Sequence, residues 1–275
     1  MAVVNFIADG FRFVLLLLFD YLLKMVLPHH QSDSDKIVII RVDAIGDFII
    51  WLDAAKALEK KFGKNQIILI VNELNLEIAS TLPYWGQIVP IQMKKFKNSF
   101  KYRYKIIREL NKLNCQTVIN TTYSRAFWLD DSIVRHINAR QKTGILGDYS
   151  NDPSWKLKLS NKWYNKLLNV ENQINHEIIK NSEILNQLGI EHTPNIHLLP
   201  PETYDNNILE MIPEHYFVVF PGSSTPKKEW GIANFTELIN RLSDKYKIPC
   251  IVCGGLNNIK TNNEIILFIN LLDSS

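Results

Sequence analysis

The chain has 275 residues, 46% of them hydrophobic, and a formal net charge of +3. That length predicts about two domains with ordinary cores, and so small a positive balance does not announce a nucleic-acid-binding protein. Cys115, Cys250 and Cys253 are too few for a disulfide framework, which points to a reducing, cytoplasmic setting.

The N-terminus stands apart from the rest. Phe11 to Leu27 is strongly apolar, yet about 17 helical residues span only about 25 Å, short of the ~30 Å hydrocarbon core, and Asp20 and Lys24 interrupt the run. On a helix, Asn5, Asp9, Arg12, Asp20 and Lys24 fall within an arc of roughly 120°, with Phe13, Leu16, Leu23 and Leu27 intruding. This predicts an amphipathic helix in a membrane interface; the alternative is a helix packed on its own domain or on a partner subunit. A signal peptide is disfavoured, since no basic region precedes the run and no small-x-small site follows it. His29 to Asp35 reads as a polar linker that completes an N-terminal segment of residues 1–35. Its Asp33-Ser34-Asp35 imitates a metal-binding DxD but precedes a strand instead of ending one, so it reads as solvated.

Lys36 to Val42 is a β-branched run that stops in Asp43-Ala44-Ile45-Gly46-Asp47 and restarts as a helix, marked by Trp51, Ala55, Leu58 and Phe62 and stopped at Gly63. Asp47 therefore lies at a helix N-terminus, at the carboxyl end of a buried parallel strand. Two roles fit it: a capping or first-turn carboxylate that serves the helix dipole, or a general base facing a cleft, with Gly46 letting substrate approach the backbone. Neither GxGxxG nor GxxxxGK[ST] is present, which weakens an NAD or P-loop reading.

Strands are then expected at Gln66–Val71, Gln87–Ile91, Gln116–Asn120 and Lys142–Leu146, alternating with helices as in a doubly wound domain. Between the third and fourth strands Lys94, Lys95, Lys97, Lys101, Arg103, Lys105, Arg108 and Lys112 are opposed only by Glu109, with Phe96, Phe100, Tyr102 and Tyr104 interleaved. The segment reads either as a solvated helix face or as a platform for an anionic acceptor or anionic headgroups; no RNA-binding pattern supports nucleic acid. A long helix is expected over Asn165–Leu188, closed by Gly189, and Thr193–Pro201 with its three prolines is the expected interdomain connection. The domains are thus drawn at 36–200 and 201–275.

The strand Tyr216–Phe220 ends in Pro221-Gly222-Ser223-Ser224-Thr225, small and hydroxyl residues that offer donors to an anion, with Lys228 adding a point charge. Trp230 reads as a packing anchor for the next helix, with Phe235 and Leu238, and the CxxC of Cys250 to Cys253 lies in an apolar strand, where it is structural. No HExxH, Cys/His cluster or GxSxG elbow suggests zinc or esterase chemistry, and His136 and His176 read as helix-surface or satisfied core residues.

Together, IIRVDAIGDFIIWL at residues 39 to 52 and VVFPGSSTPKKEW at 218 to 230 resemble the two signatures of glycosyltransferase family 9, the ADP-heptose:lipopolysaccharide heptosyltransferases. The resemblance covers roughly residues 36 to 270. It implies an α/β GT-B fold of two Rossmann-like domains, a nucleotide-diphosphate sugar donor, inversion at the anomeric carbon, and no metal or other cofactor. Asp47 matches the family's catalytic base and Lys228 its donor-phosphate lysine. Ser223 and Ser224 would support the departing diphosphate, with Asp43, Gly46 and Gly222 as supporting turn residues. The implied partners are the donor and an anionic glycolipid or glycan acceptor, met at the inner face of the cytoplasmic membrane; Lys94, Lys95, Lys97, Lys101 and Arg103 are the candidate acceptor or membrane contacts. The sequence also departs from the family. It reaches Ser275 without a counterpart of the family's later Asp-Thr-Gly-x-x-His, and Asp53 stands where relatives often carry proline. The expectation is therefore an incomplete C-terminal domain, and the alternative function is a truncated, non-catalytic protein that binds membrane or acceptor.

Overall fold

The computed structural model describes residues 2–28, 34–170, 176–195, 210–223, 226–255, 259 and 262–266. In it β1 (Ile37–Arg41) is buried along its whole length, because a central parallel strand is covered on both faces and can be apolar throughout. It pairs in parallel with β2 (Ile67–Asn72) on one side and β4 (Thr117–Asn120) on the other. β3 (Gln87–Ile91), β5 (Gln141–Ile145) and β6 (Lys166–Leu168) complete a six-stranded sheet in the order β3-β2-β1-β4-β5-β6. Every pairing is parallel, so each strand needs a crossover, and the order reverses direction between β1 and β4. The first five strands lie within a residue of their expected bounds.

The two sheet faces carry separate cores, as the period-2 alternation of a strand requires. Ile37 and Ile39 pack with Trp51, Ala55 and Leu58 of α2 (Ile45–Phe62). Val38 and Ile40 pack with Phe96 of α4 (Met93–Asn98), Ile106, Ile107 and Leu110 of α5 (Phe100–Asn111) and Ile133 of α6 (Asp130–His136). A short α3 (Leu76–Ser80) follows β2, and α7 (Ser154–Ser160) follows β5.

The expected long helix from Asn165 is instead two elements. Lys166–Leu168 is the edge strand β6, paired with β5, and helix α8 runs only from Glu177 to Gln187; residues 171–175 lie outside the described part. Non-local pairing decides this: Tyr164 stacks under Gly144, where any Cβ would fall 2.4 Å from the ring, and this delivers the next residues to the β5 edge.

α1 (Ala2–Val26) also differs from expectation. An interfacial helix would keep its polar arc in water, but Asp20 is fully buried against the domain. Its carboxylate grips Arg103 through two contacts, 2.7 Å to Nε and 2.5 Å to Nη2, and accepts a third bond from Ser132 Oγ at 3.0 Å. Leu16 and Leu23 are buried beside it, and Lys24 donates to Asn138 Oδ1 at 3.2 Å. Burial alone would raise the Asp20 carboxyl, but Arg103 holds it below the ordinary carboxylate value. His136, buried in the same place, is pushed down to about 4 by desolvation; its Nδ1 lies 2.8 Å from the Ser132 carbonyl. Among the described residues no helix is long and apolar enough to cross a membrane.

The chain divides into two compact units, residues 1–198 and 199–275. In the second, β7 (Phe217–Val219) leads through a loop to α9 (Ile232–Tyr246) and back to β8 (Cys250–Val252), which pairs in parallel with β7. Val219, Ile239 and Ile265 form its core, and Trp230 meets Phe235 edge-on at 5.3 Å, the packing role expected of it. Burial raises the Cys250 thiol to about 11, in keeping with a structural cysteine.

Candidate active site

The carboxyl ends of β1 and β4 flank the point where the strand order reverses, the place where open α/β sheets hold ligands. The turn after β1 lies there. Helix α2 starts at Ile45, and its N-cap, Ala44, makes no side-chain capping bond. Asp47 is thus a first-turn acid and not the cap. It is exposed, and its carboxylate makes no hydrogen bond or ion pair among the described residues. A side chain at Gly46 would meet nothing within 4 Å, so nothing in the chain itself demands glycine at this exposed position.

Beneath the turn sits Arg41, the last residue of β1 and fully buried. Its guanidinium pairs with Asp43 at 2.8 Å and Glu177 at 3.2 Å, and it donates to the carbonyls of Thr121 at 2.8 Å and Asp47 at 3.2 Å. Arg41 therefore ties the end of β4, the first turn of α2 and the start of α8 to one cation, while its face lies 5.7 Å from the Trp51 ring. From the other side Asn75 Nδ2 donates to the Asp43 carbonyl at 3.0 Å, and Asn72 Nδ2 reaches the carbonyls of Val42 and Asp43 at 3.4 Å. The turn that presents Asp47 is thus fixed by the side chains of Arg41 from β1, Asn72 from β2 and Asn75 from the turn that follows β2. Burial raises the Asp43 carboxyl above its ordinary value; Arg41 opposes this, and the charges of Asp47 and Glu177 reinforce it.

Arg41, Asn72, Asn75 and Glu177 were not singled out from the sequence. A signal for Arg41 existed: a charge that closes an otherwise apolar strand must find partners where the strand is buried. Asp53 also has a structural role. It is buried, lies 3.0 Å from His192 Nε2 and accepts the Asn195 amide at 2.7 Å, fastening residues 192–195 to α2.

Of the basic candidates, Lys94, Lys95, Lys97 and Lys101 are exposed. Arg103 is not available as a contact. It is fully buried with Asp20, between the Phe96 ring at 4.5 Å and the Trp128 ring at 5.5 Å, and it donates to both residues' carbonyls. Helical spacing explains the difference: Arg103 shares the inward face of α5 with Ile106, Ile107 and Leu110.

In the second unit the loop after β7 has Pro221 buried and Gly222 and Ser223 half-buried. Ser224 lies outside the described residues. Pro226–Lys228 forms a 3-10 turn that leaves Lys227 and Lys228 exposed, and Gly231 enters α9 with φ 96°, a left-handed value that favours glycine. A strand–loop–helix of this kind, carrying lysines, can receive an anion. Among the described residues, no group of three His, Cys, Asp or Glu side chains is placed to hold a metal.

No protein-family model matches the sequence, and no curated protein sequence does. Solved structures do match in fold. A glycosyl transferase family 9 protein from Veillonella parvula superposes with a TM-score of 0.66 at 18% identity, covering 87% of this chain and 68% of that one. The E. coli heptosyltransferase WaaC with ADP-2-deoxy-2-fluoro heptose gives 0.60 at 17% identity, and with ADP 0.61 at 16%, each covering 84% of this chain and 72% of that one. The chain is thus an α/β protein whose parallel six-stranded sheet belongs to the fold of these family 9 glycosyltransferase structures.

Proposed function

We propose that this chain transfers a sugar, a heptose first, from a nucleotide diphosphate to a lipopolysaccharide or other cell-surface glycan acceptor, with inversion at the anomeric carbon. The observation that carries the reading is Asp47: an exposed carboxylate in the first turn of a helix at the reversal point of the sheet, on a turn fixed from below by Arg41. In this reading Asp47 accepts the proton of the acceptor hydroxyl as that oxygen attacks the anomeric carbon. Gly46 leaves room for the acceptor beside the helix start. The diphosphate leaves as a dianion-rich group, and the loop from Gly222 through Ser223 and Ser224 to Lys228 supplies the hydroxyls and positive charge that stabilise it. The acceptor lies on a membrane, so the protein works at the inner face of the cytoplasmic membrane without crossing it. The WaaC structures with ADP and an ADP-heptose analogue support this choice of donor.

The test is transfer from ADP-heptose to a lipopolysaccharide-core acceptor by wild type and Asp47→Asn, beside calorimetric titration of ADP. The variant should lose activity by roughly 10²–10⁴-fold, the usual contribution of a general base, with ADP affinity unchanged. Lys228→Ala should do the reverse in kind, weakening ADP. An Asp47→Asn variant that keeps most of its transfer rate would remove this residue from the mechanism.

A further inference from the structure

From Phe13 to Val26 every exposed residue of α1 is aliphatic or aromatic, chiefly Val14, Leu15, Leu18, Tyr21, Leu22 and Met25. On a helical projection they fill one arc of roughly 140°, opposite the arc of Leu16, Asp20 and Leu23 that faces the domain. The helix is mounted inside out: its carboxylate is buried and its apolar stripe is in the open. A stripe of that size on a monomer marks a contact surface.

The charges around it say what the surface fits. α5 lies against α1, with the Phe19 and Phe100 rings 5.1 Å apart and the Asp20–Arg103 pair between the helices. Its outer side exposes Lys101, Lys105, Arg108 and Lys112, relieved only by Glu109, which lies 3.9 Å from Lys105. Lys94, Lys95 and Lys97 continue the row on α4. At the start of the stripe a recess of about 430 Å³ is lined by Arg12, Lys97 and Lys156 beside Phe13 and Trp128, with Asp152 as its one carboxylate. An apolar stripe bordered by a single sign of charge repels its own copy and complements a surface that is apolar below and anionic above.

We propose that the outer face of α1, with the basic row of α4 and α5, docks this protein on an anionic lipid bilayer. The stripe sinks to the boundary of headgroups and acyl chains while the lysines and arginines meet lipid phosphates. Asp20 keeps the mode peripheral: the helix cannot leave the domain to span the bilayer without abandoning Arg103 as an unpaired buried cation. The inference rests on α1, α4 and α5 alone. A chain that binds vesicles but transfers no sugar would refute only the function proposed above.

Co-sedimentation of the full chain with phosphatidylcholine vesicles, with and without phosphatidylglycerol, tests it. Binding should require the anionic lipid and weaken strongly between low salt and 0.5 M salt, since each basic residue near the surface contributes roughly fivefold. Leu18→Glu with Leu22→Glu should cut partition more than about tenfold, as should Lys101→Glu with Lys105→Glu. All four positions are exposed, so thermal melting should be unchanged. Tyr21→Trp adds a direct reading, a blue shift of emission on anionic vesicles. Two results would overturn the proposal: Glu variants that bind as the wild type does, or a lipid-free wild-type dimer that the Leu variants dissociate while neither form binds vesicles, which would make a second copy the occupant.

Discussion

Replacing Asp20 with alanine tests how α1 is held. Arg103 has 0% side-chain exposure, and among the described residues Asp20 is its one negative partner, through two contacts of 2.7 and 2.5 Å. In the variant the cation keeps the carbonyls of Phe96 and Trp128 and the Ser132 hydroxyl, but no counter-charge. Removing one member of a buried pair typically costs about 3–5 kcal/mol, roughly a fifth or more of a stability of about 5–15 kcal/mol. For a unit of this size that corresponds to a melting point lower by roughly 6–20 °C. Circular-dichroism melts and urea titrations would measure it, with Asp20→Leu/Arg103→Met as the reference. Two apolar side chains leave no charge stranded, so the double variant should recover most of the loss. The sign with pH follows from the lowered Asp20 carboxyl. Its contribution is present in full above the unfolded carboxylate range and disappears as acid protonates it through the lower folded value, so the gap between wild type and Asp20→Ala should close only in strong acid. A loss below about 1 kcal/mol, no larger than that of the double variant, would show that the guanidinium has found water and that this account of α1 is wrong.

Three further outcomes can be measured. His136 takes up its proton near 4 when folded and near 6.5 when unfolded, so stability should drop as the pH is lowered through that window, by up to about 1.4 kcal/mol per unit; His136→Gln should flatten the slope in urea titrations, and an unchanged slope would place the effect elsewhere. Gly147 has φ 64° and a Cβ there would sit 2.0 Å from the Tyr123 carbonyl oxygen, so Gly147→Ala should cost at least about 2 kcal/mol in the same assay. Gly46→Ala meets open space in a helical first turn and should leave stability equal or higher by about 0.5–1 kcal/mol. If an acceptor approaches there, transfer falls nonetheless; equal activity would release Gly46 from the site.

What could be read from the sequence was what local pattern determines. β1 and α2 are legible because a strand buried on both faces is continuously apolar and because Trp51, Ala55 and Leu58 repeat at helical spacing on one face. Asp47 follows from its place between them. β6 was not legible, since three residues at a sheet edge carry too little pattern to outweigh a helix-like composition, and only the pairing of residues 166–168 with Thr143, Gly144 and Ile145 makes them a strand. The projection of α1 found the polar arc but not its direction. That depends on Arg103, 83 positions away, which in sequence looks like one more member of a basic run. Arg41 was hidden for the same reason, because its partners Thr121 and Glu177 arrive from distant parts of the chain.

The two outer strands have a bearing on how safely the molecule is made. An all-parallel sheet brings its strands together only after long crossovers close, so it folds slowly and its unpaired rims stay accessible to other nascent chains. Here both rims are poor templates. β3 carries Pro90, which lacks the amide proton that a newcomer would need, and β6 offers only three residues, the first of them Lys166. The same shortness that concealed β6 from inspection therefore guards the chain against rim-to-rim aggregation while its sheet is assembled.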